Sequence, residues 1–219
     1  MNIETIRQRH SVRSYTDKPI DAQTKTALLE EIAACNKEGG LSIQLVTEEP
    51  QAFSCRLAKY GKFSGVRNYL LLIGGKHKDE ACGYYGERIV LKAQTLGLNS
   101  CWVGLTYSKV KGTYSLQDGE KIYLAIALGY GSNQGIARKS KSVEAVSRCK
   151  GDMPEWFRKG VEAALMAPTA MNQQAFRLIL EDSGKVHAKA GLAVMSKIDL
   201  GIVKCHFEIG SGRDSSVWK

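Results

Sequence analysis

Apolar residues recur at helical spacing over Ala27, Leu28 and Ile32, framed by Asp21, a good helix cap, and by the pair Gly39-Gly40. That pattern predicts a helix, and the following LSIQLVT alternates as a half-buried strand does. Upstream, Asn2 can cap a short helix carrying Ile3 and Ile6 that ends near His10, before Pro19 breaks the chain. A short helix is expected over 52–59, closed by Gly61. NYLLLIGG is apolar at nearly every position, as a strand covered on both faces is. Over about 80–96, Tyr85, Ile89, Ala93 and Leu96 keep the helical period, and Gly97 stands where a left-handed cap is wanted. Two more strands, NSCWVG and IYLAIALG, follow on either side of a polar loop at 109–119.

The last third starts afresh at Asp152. A helix through Trp156, Val161 and Leu165 runs to Pro168, the polar turn TAMNQQ leads into the strand AFRLILED, and Ser196 with Asp199 opens a final helix. Its stripe is Ile198, Ile202, Cys205 and Ile209, its stop is Gly210, and the tail after Gly212 is expected to be loose. A weak repeat runs through these segments: ALLEEIAAC with SIQLVTEE answers VEAALMAP with FRLILEDS, and GERIVLKAQTLG answers GIVKCHFEIGSG. Helix-strand units are common enough for coincidence to produce this; the alternative is a duplication with a truncated second copy.

Composition narrows the class. The 219 residues, 43% hydrophobic and 24% charged, fit an ordinary globular chain and exclude disorder, collagen or a coiled coil as its overall state. With no apolar run of about 18 residues and charges in place of a signal-peptide core, a cytoplasmic protein is expected. Six cysteines lack the spacing of a zinc or redox motif and read as free thiols, mostly buried. A net charge of +9, from 31 Lys and Arg against 22 Asp and Glu, favours anionic partners: nucleic acid, a membrane surface or a phosphorylated cofactor, with solubility alone as the plain alternative.

Most chemical motifs fail. GYGSNQG follows a strand but spaces its third glycine wrongly for dinucleotide binding and no helix is expected after it; P-loop, nucleophile elbow and metal spacings are missing, and His206 reads as a packed or surface residue rather than a catalytic one. RHSVRSY remains. If that segment is extended, Arg9, Ser11 and Arg13 project to one face and two guanidinium groups with a hydroxyl can meet one phosphate monoester. A solvated face explains the same residues equally well. A second basic cluster, Arg138, Lys139 and Lys141, could close on the same phosphate or be solvated loop.

In order and content these motifs resemble the nitroreductase family of flavoproteins. Its Arg-x-Ser-x-Arg/Lys element, which holds the FMN phosphate, is matched by Arg9, Ser11 and Arg13, with His10 between them. Its Pro-Ser-Ser/Thr-x-Asn-x-Gln-Pro-Trp turn over the flavin is similar to APTAMNQQAF, which supplies Pro168, Thr169, Ala170, Asn172 and Gln174, with Ala175 and Phe176 departing from Pro-Trp. LKAQTLGLNSCWVG resembles the family's central helix and strand end, so the resemblance implies isoalloxazine contacts from Val103, Gly104 and Leu105, and a late phosphate clasp from Lys139 and Lys141.

The order departs from the family at one point: the asparagine turn comes at 167–176 instead of a few tens of residues after the first motif. Members are homodimers with FMN at the interface, so the departure implies a fused pseudo-dimer, with a half at 1–150 carrying the phosphate motif and a truncated half at 151–219 completing one site. The fold implied is α+β, a central, mainly antiparallel sheet flanked by helices, in two pseudo-equivalent halves. The implied function is an FMN-dependent oxidoreductase carrying hydride from NAD(P)H to a quinone, nitroaromatic or similar acceptor, with no catalytic side chain, no metal, no nucleic acid or membrane partner, and a monomeric pseudo-dimer as its assembly. A non-catalytic FMN-binding sensor or carrier is the alternative; a nucleic-acid module lacks an aromatic platform.

Overall fold

Strand β2 (Asn68–Gly74) is buried at all seven positions, as its apolar run requires, and organises the first of two units in the chain. The computed structural model describes all 219 residues; this unit comprises Gln8–Lys78 and Arg88–Ala137. Its sheet is antiparallel throughout, in the order β1 (Gln44–Val46), β2, β4 (Lys121–Gly129), β3 (Asn99–Val103). Leu70 lies opposite Ile126 and Leu72 opposite Leu124, with an irregularity between Leu72 and Ile73. Alternate residues face opposite ways in a strand. Tyr69, Leu71 and Ile73 join Val12, Tyr15, Phe53 and Phe63 in one core layer. Leu70, Leu72, Leu124 and Ile126 point the other way and are as deeply buried, so that face is covered too.

Helix α2 (Ala22–Gly39) belongs to this unit and is capped as expected: the Asp21 carboxylate accepts from the Thr24 amide at 2.9 Å, and Gly40 closes the helix at φ 58°. Arg88 pairs with Glu31 at 3.0 Å and with Glu38. Between β1 and β2 the expected single helix is two pieces, a 3-10 turn at Gln51–Phe53 and α3 (Arg56–Tyr60), because the Glu49 carboxylate takes the Gln51 and Ala52 amides and starts the first piece separately.

The second unit comprises Met1–Arg7, Asp79–Glu87 and Arg138–Lys219. It holds α1 (Ile3–Gln8) up to Arg7, the first part of α4 (Asp79–Thr95), α5 (Val143–Val146), α6 (Glu155–Leu165) and α7 (Ser196–Ser211). A three-stranded sheet runs β5 (Ser147–Arg148), β6 (Phe176–Leu180), β7 (Val186–Ala190), the first pair parallel and the second antiparallel. Helices α6 and α7 approach closely through small residues: a Cβ on Gly160 would stand 2.5 Å from the Phe207 ring, and one on Gly210 would stand 2.3 Å from the Ala163 methyl.

His206 is fully buried on α7, with Nε2 2.8 Å from Glu87 Oε1 and Nδ1 3.1 Å from the Ala163 carbonyl, so it ties α7 to α4 and α6. The tail is not loose. Val217 is buried, the Trp218 indole donates to Glu208 Oε1 at 2.6 Å, and the Lys219 amide donates to the Val186 carbonyl at 3.1 Å. Phe207, packed 5.0 Å from the Trp218 ring, supplies the apolar surface that draws the tail in. The last helix runs one residue past Gly210 and ends at Gly212, whose φ of 67° provides the left-handed cap. The chain is α+β with a mainly antiparallel sheet and flanking helices. No helix is long and apolar enough to cross a membrane, and all six cysteines are free, four of them buried.

Candidate functional site

Residues 9–15 leave α1 as an extended segment stitched into the first unit. The Val12 amide donates to the Ser100 carbonyl and the Tyr15 amide to the Ser64 carbonyl, both at 3.0 Å, and the Tyr15 hydroxyl donates to the Val12 carbonyl at 2.7 Å. Val12 and Tyr15 bury their side chains in the core, and Arg9, Ser11 and Arg13 stand at alternate positions along the same segment. They differ in depth: Arg9 is 3% exposed, Ser11 half-buried and Arg13 exposed. All three influence the Cys101 thiol, which lies in the same core as Val12 and Tyr15. Burial pushes the Cys101 thiol up in pKa, while the Arg13 charge, a hydrogen bond with the Ser11 side chain and the Arg9 charge pull it down. His10 lies against the loop after β4, where a Cβ on Gly135 would stand 2.7 Å from the His10 Cβ. GYGSNQG is that loop, and it does not open a helix: the next element, α5, begins at Val143.

At the end of β3, Val103 gives its side chain to the core, so only its backbone is available to a ligand. Gly104 is half-buried and Leu105 is 73% exposed. These three positions lie in the same unit as Arg9, Ser11 and Arg13.

The remaining predicted residues meet in the second unit. The strap 138–141 runs along the turn 165–174 and is fastened to it at each residue. Arg138 donates to the Ala167 carbonyl, the Lys139 carbonyl accepts from Asn172 Nδ2 at 2.8 Å, and the Lys141 amide donates to Gln174 Oε1 at 2.8 Å. Lys141 Nζ donates to the Gln173 and Gln174 carbonyls at 2.8 and 3.1 Å, so this amine braces the turn as well as bringing charge to it. Gln174 is buried, with Nε2 donating to the Leu165 carbonyl at 3.0 Å and to Ser140 Oγ at 3.3 Å; its amide donates to Thr169 Oγ1 at 3.1 Å. Gln174→Ala strands the Lys141 amide and removes the shortest of the three donors to the Leu165 carbonyl, and is expected to lower unfolding free energy by about 1–3 kcal/mol in a urea titration.

Pro168 is buried, Ala170 is half-buried and Asn172 is exposed. Phe176, standing where the family has Trp, is buried at the start of β6 opposite Ala190, a core residue rather than a cover for a ligand.

Two contributors escaped the sequence reading. Asp199 stands in the first turn of α7 where a capping role is expected, yet the N-cap is Met195, without a side-chain bond. Its carboxylate reaches the turn instead, both oxygens 3.1 Å from the Ala170 amide. Burial raises its pKa to about 7, against the opposing effects of the Ala170 hydrogen bond and the Arg138 charge. Cys101 lies in the core with Val12 and Tyr15, at no metal or redox spacing from another cysteine. Neither carries a local signal, since each acquires its role from residues tens of positions away.

Residues 2–211 match the family model described as "Putative TM nitroreductase". The chain belongs to this nitroreductase family. As a nitroreductase it is an oxidoreductase enzyme, and solved structures share its fold. A "putative nitroreductase" of Thermotoga maritima MSB8 superposes with a TM-score of 0.63 at 21% identity, over 96% of this chain and 83% of that one. A "putative nitroreductase in complex with FMN" of Desulfovibrio desulfuricans gives 0.53 at 18%, over 69% of this nitroreductase and 96% of that chain. Nitroreductase A of Vibrio parahaemolyticus gives 0.53 at 18%, over 66% and 73%. Among curated proteins, none matches the chain.

Proposed function

We propose that this nitroreductase binds one FMN per chain and passes hydride from NAD(P)H to a quinone, nitroaromatic or similar flat acceptor. The observation that carries the reading is that the segment after α1 runs alongside Ser100 of β3 with Arg9, Ser11 and Arg13 at alternate positions. Two guanidinium groups and a hydroxyl are the donor set a phosphate monoester takes, and Arg9, being buried, meets such an anion with little competition from water. The Desulfovibrio relative, with FMN in its structure, supports the choice of cofactor.

In this reading Arg9, Ser11 and Arg13 hold the phosphate, with His10 beside them, while Lys139 and Lys141 add positive charge. The Val103, Gly104 and Leu105 backbone orients the ring, and Thr169 and Asn172 are its polar contacts on the turn that Pro168, Ala170 and Gln174 shape. FMN, when bound, supplies the hydride chemistry, so no side chain need act as acid or base. The division expected from the sequence, 1–150 carrying the phosphate motif and 151–219 completing the binding residues, belongs to this proposal, as does a monomer that holds flavin.

Arg13→Ala is expected to weaken FMN binding by about ten- to a hundredfold in a fluorescence titration, the loss of one charge-assisted contact. Unchanged affinity would remove the phosphate assignment. Anaerobic NADH or NADPH should bleach the bound flavin, and double-reciprocal plots with a quinone acceptor should be parallel. Bound FMN that neither nucleotide can reduce would make the protein a flavin-binding sensor or carrier.

A further inference from the structure

The backbone of the turn 168–174 is hard to hold in place. Met171, Asn172 and Gln174 take φ of 50°, 55° and 46°, left-handed conformations that L side chains avoid. Such a run persists only where its surroundings over-determine it. One flank is fixed by the strap 138–141. At the other flank stands Asp199, buried to 5% exposure, whose carboxylate takes the Ala170 amide immediately before the first left-handed residue. That amide is its one hydrogen-bond donor, and Arg138 is the one charged group acting on it. Burying a carboxylate behind a single amide is unfavourable, and an apolar side chain would pack there more easily. The Ala170 contact is the task the structure gives it.

We propose that Asp199 is a positioning residue for the flavin-contacting turn: by accepting the Ala170 amide on both carboxylate oxygens it fixes the left-handed run that presents Thr169 and Asn172. Its effect on flavin affinity rests on the FMN reading above, whereas its effect on the turn does not.

The test compares Asp199→Ala and Asp199→Asn in the full chain by three measurements: hydrogen exchange of 168–174 without FMN, thermal unfolding at pH 8, and FMN titration. Loss of the contact in Asp199→Ala should speed exchange of the turn about tenfold and weaken FMN about tenfold, without lowering the melting temperature, because a buried charge has gone. Asp199→Asn keeps an acceptor oxygen and should restore exchange and affinity to within about threefold of the parent. Unchanged exchange in Asp199→Ala overturns the proposal. So does a melting temperature that falls in step with turn protection in both variants, the mark of ordinary structural support. If the turn responds as stated but the parent protein takes up no FMN, the positioning role stands and the FMN reading fails.

Discussion

Gly83→Val should leave the chain without a cooperative unfolding transition, and Gly83→Ala should already cost at least about 3 kcal/mol. A Cβ at Gly83 on α4 would stand 1.9 Å from the Ile198 carbonyl oxygen, and one at Gly201 on α7 would stand 2.0 Å from the Glu80 carbonyl oxygen and 2.6 Å from the Tyr84 amide nitrogen. Each clash is with backbone, so no side chain can rotate away and the helices themselves must separate. Separation would also stretch the 2.8 Å contact between His206 and Glu87, leaving two fully buried ionisable groups without each other. Gly75 is the control: a Cβ there meets nothing within 4 Å, and Gly75→Ala should shift stability by less than about 1 kcal/mol. Equal effects at 83 and 75, measured by chemical denaturation, would show that the helices do not meet through glycine.

Asp199→Asn should stabilise the protein by as much as about 4 kcal/mol above pH 7, and by almost nothing below pH 4. The group's pKa lies near 7 in the folded chain against an ordinary 3.8, so the folded state holds this proton over a range where the unfolded state has released it. Its contribution to stability is therefore greatest below pH 4, declines as the pH rises and is gone once the carboxylate ionises near pH 7. Asparagine removes the titration and with it the slope. Denaturation midpoints for the two proteins at pH 4, 6 and 8 check this, and parallel pH profiles would contradict it. Stability forgone at neutral pH is what a residue kept for function shows.

What the sequence discloses and what it hides follows from the range of the interactions involved. The run at 68–74 and the period through Tyr85, Ile89 and Ala93 record burial that each residue experiences directly, so β2 and α4 emerge within a residue or two of their ends. β7 went unread because it is the edge strand of its sheet, and the half-exposed VHAKA carries too little apolar signal. β5 and α5, two and four residues long, are shorter than any period that could announce them. The tail looked loose because its anchors, Glu208 and Val186, are remote in sequence. Within the candidate site, alternation at Arg9, Ser11 and Arg13 was legible, but not the burial that separates Arg9 from Arg13. Likewise Asn172 and Lys139 could be named singly, whereas the bond between them spans 33 positions.

The three tryptophans divide between the two units. Trp102 stands in β3 of the first, whereas Trp156 and Trp218 belong to the second, with Phe207 between them at 6.3 and 5.0 Å. Indole emission reports its immediate surroundings, so a chain retaining only Trp102 and a chain retaining only the other pair are built-in optical probes of separate parts of one molecule. Followed together through a denaturant gradient, the two emission curves reveal whether the units melt as one body or in succession, with no dye attached.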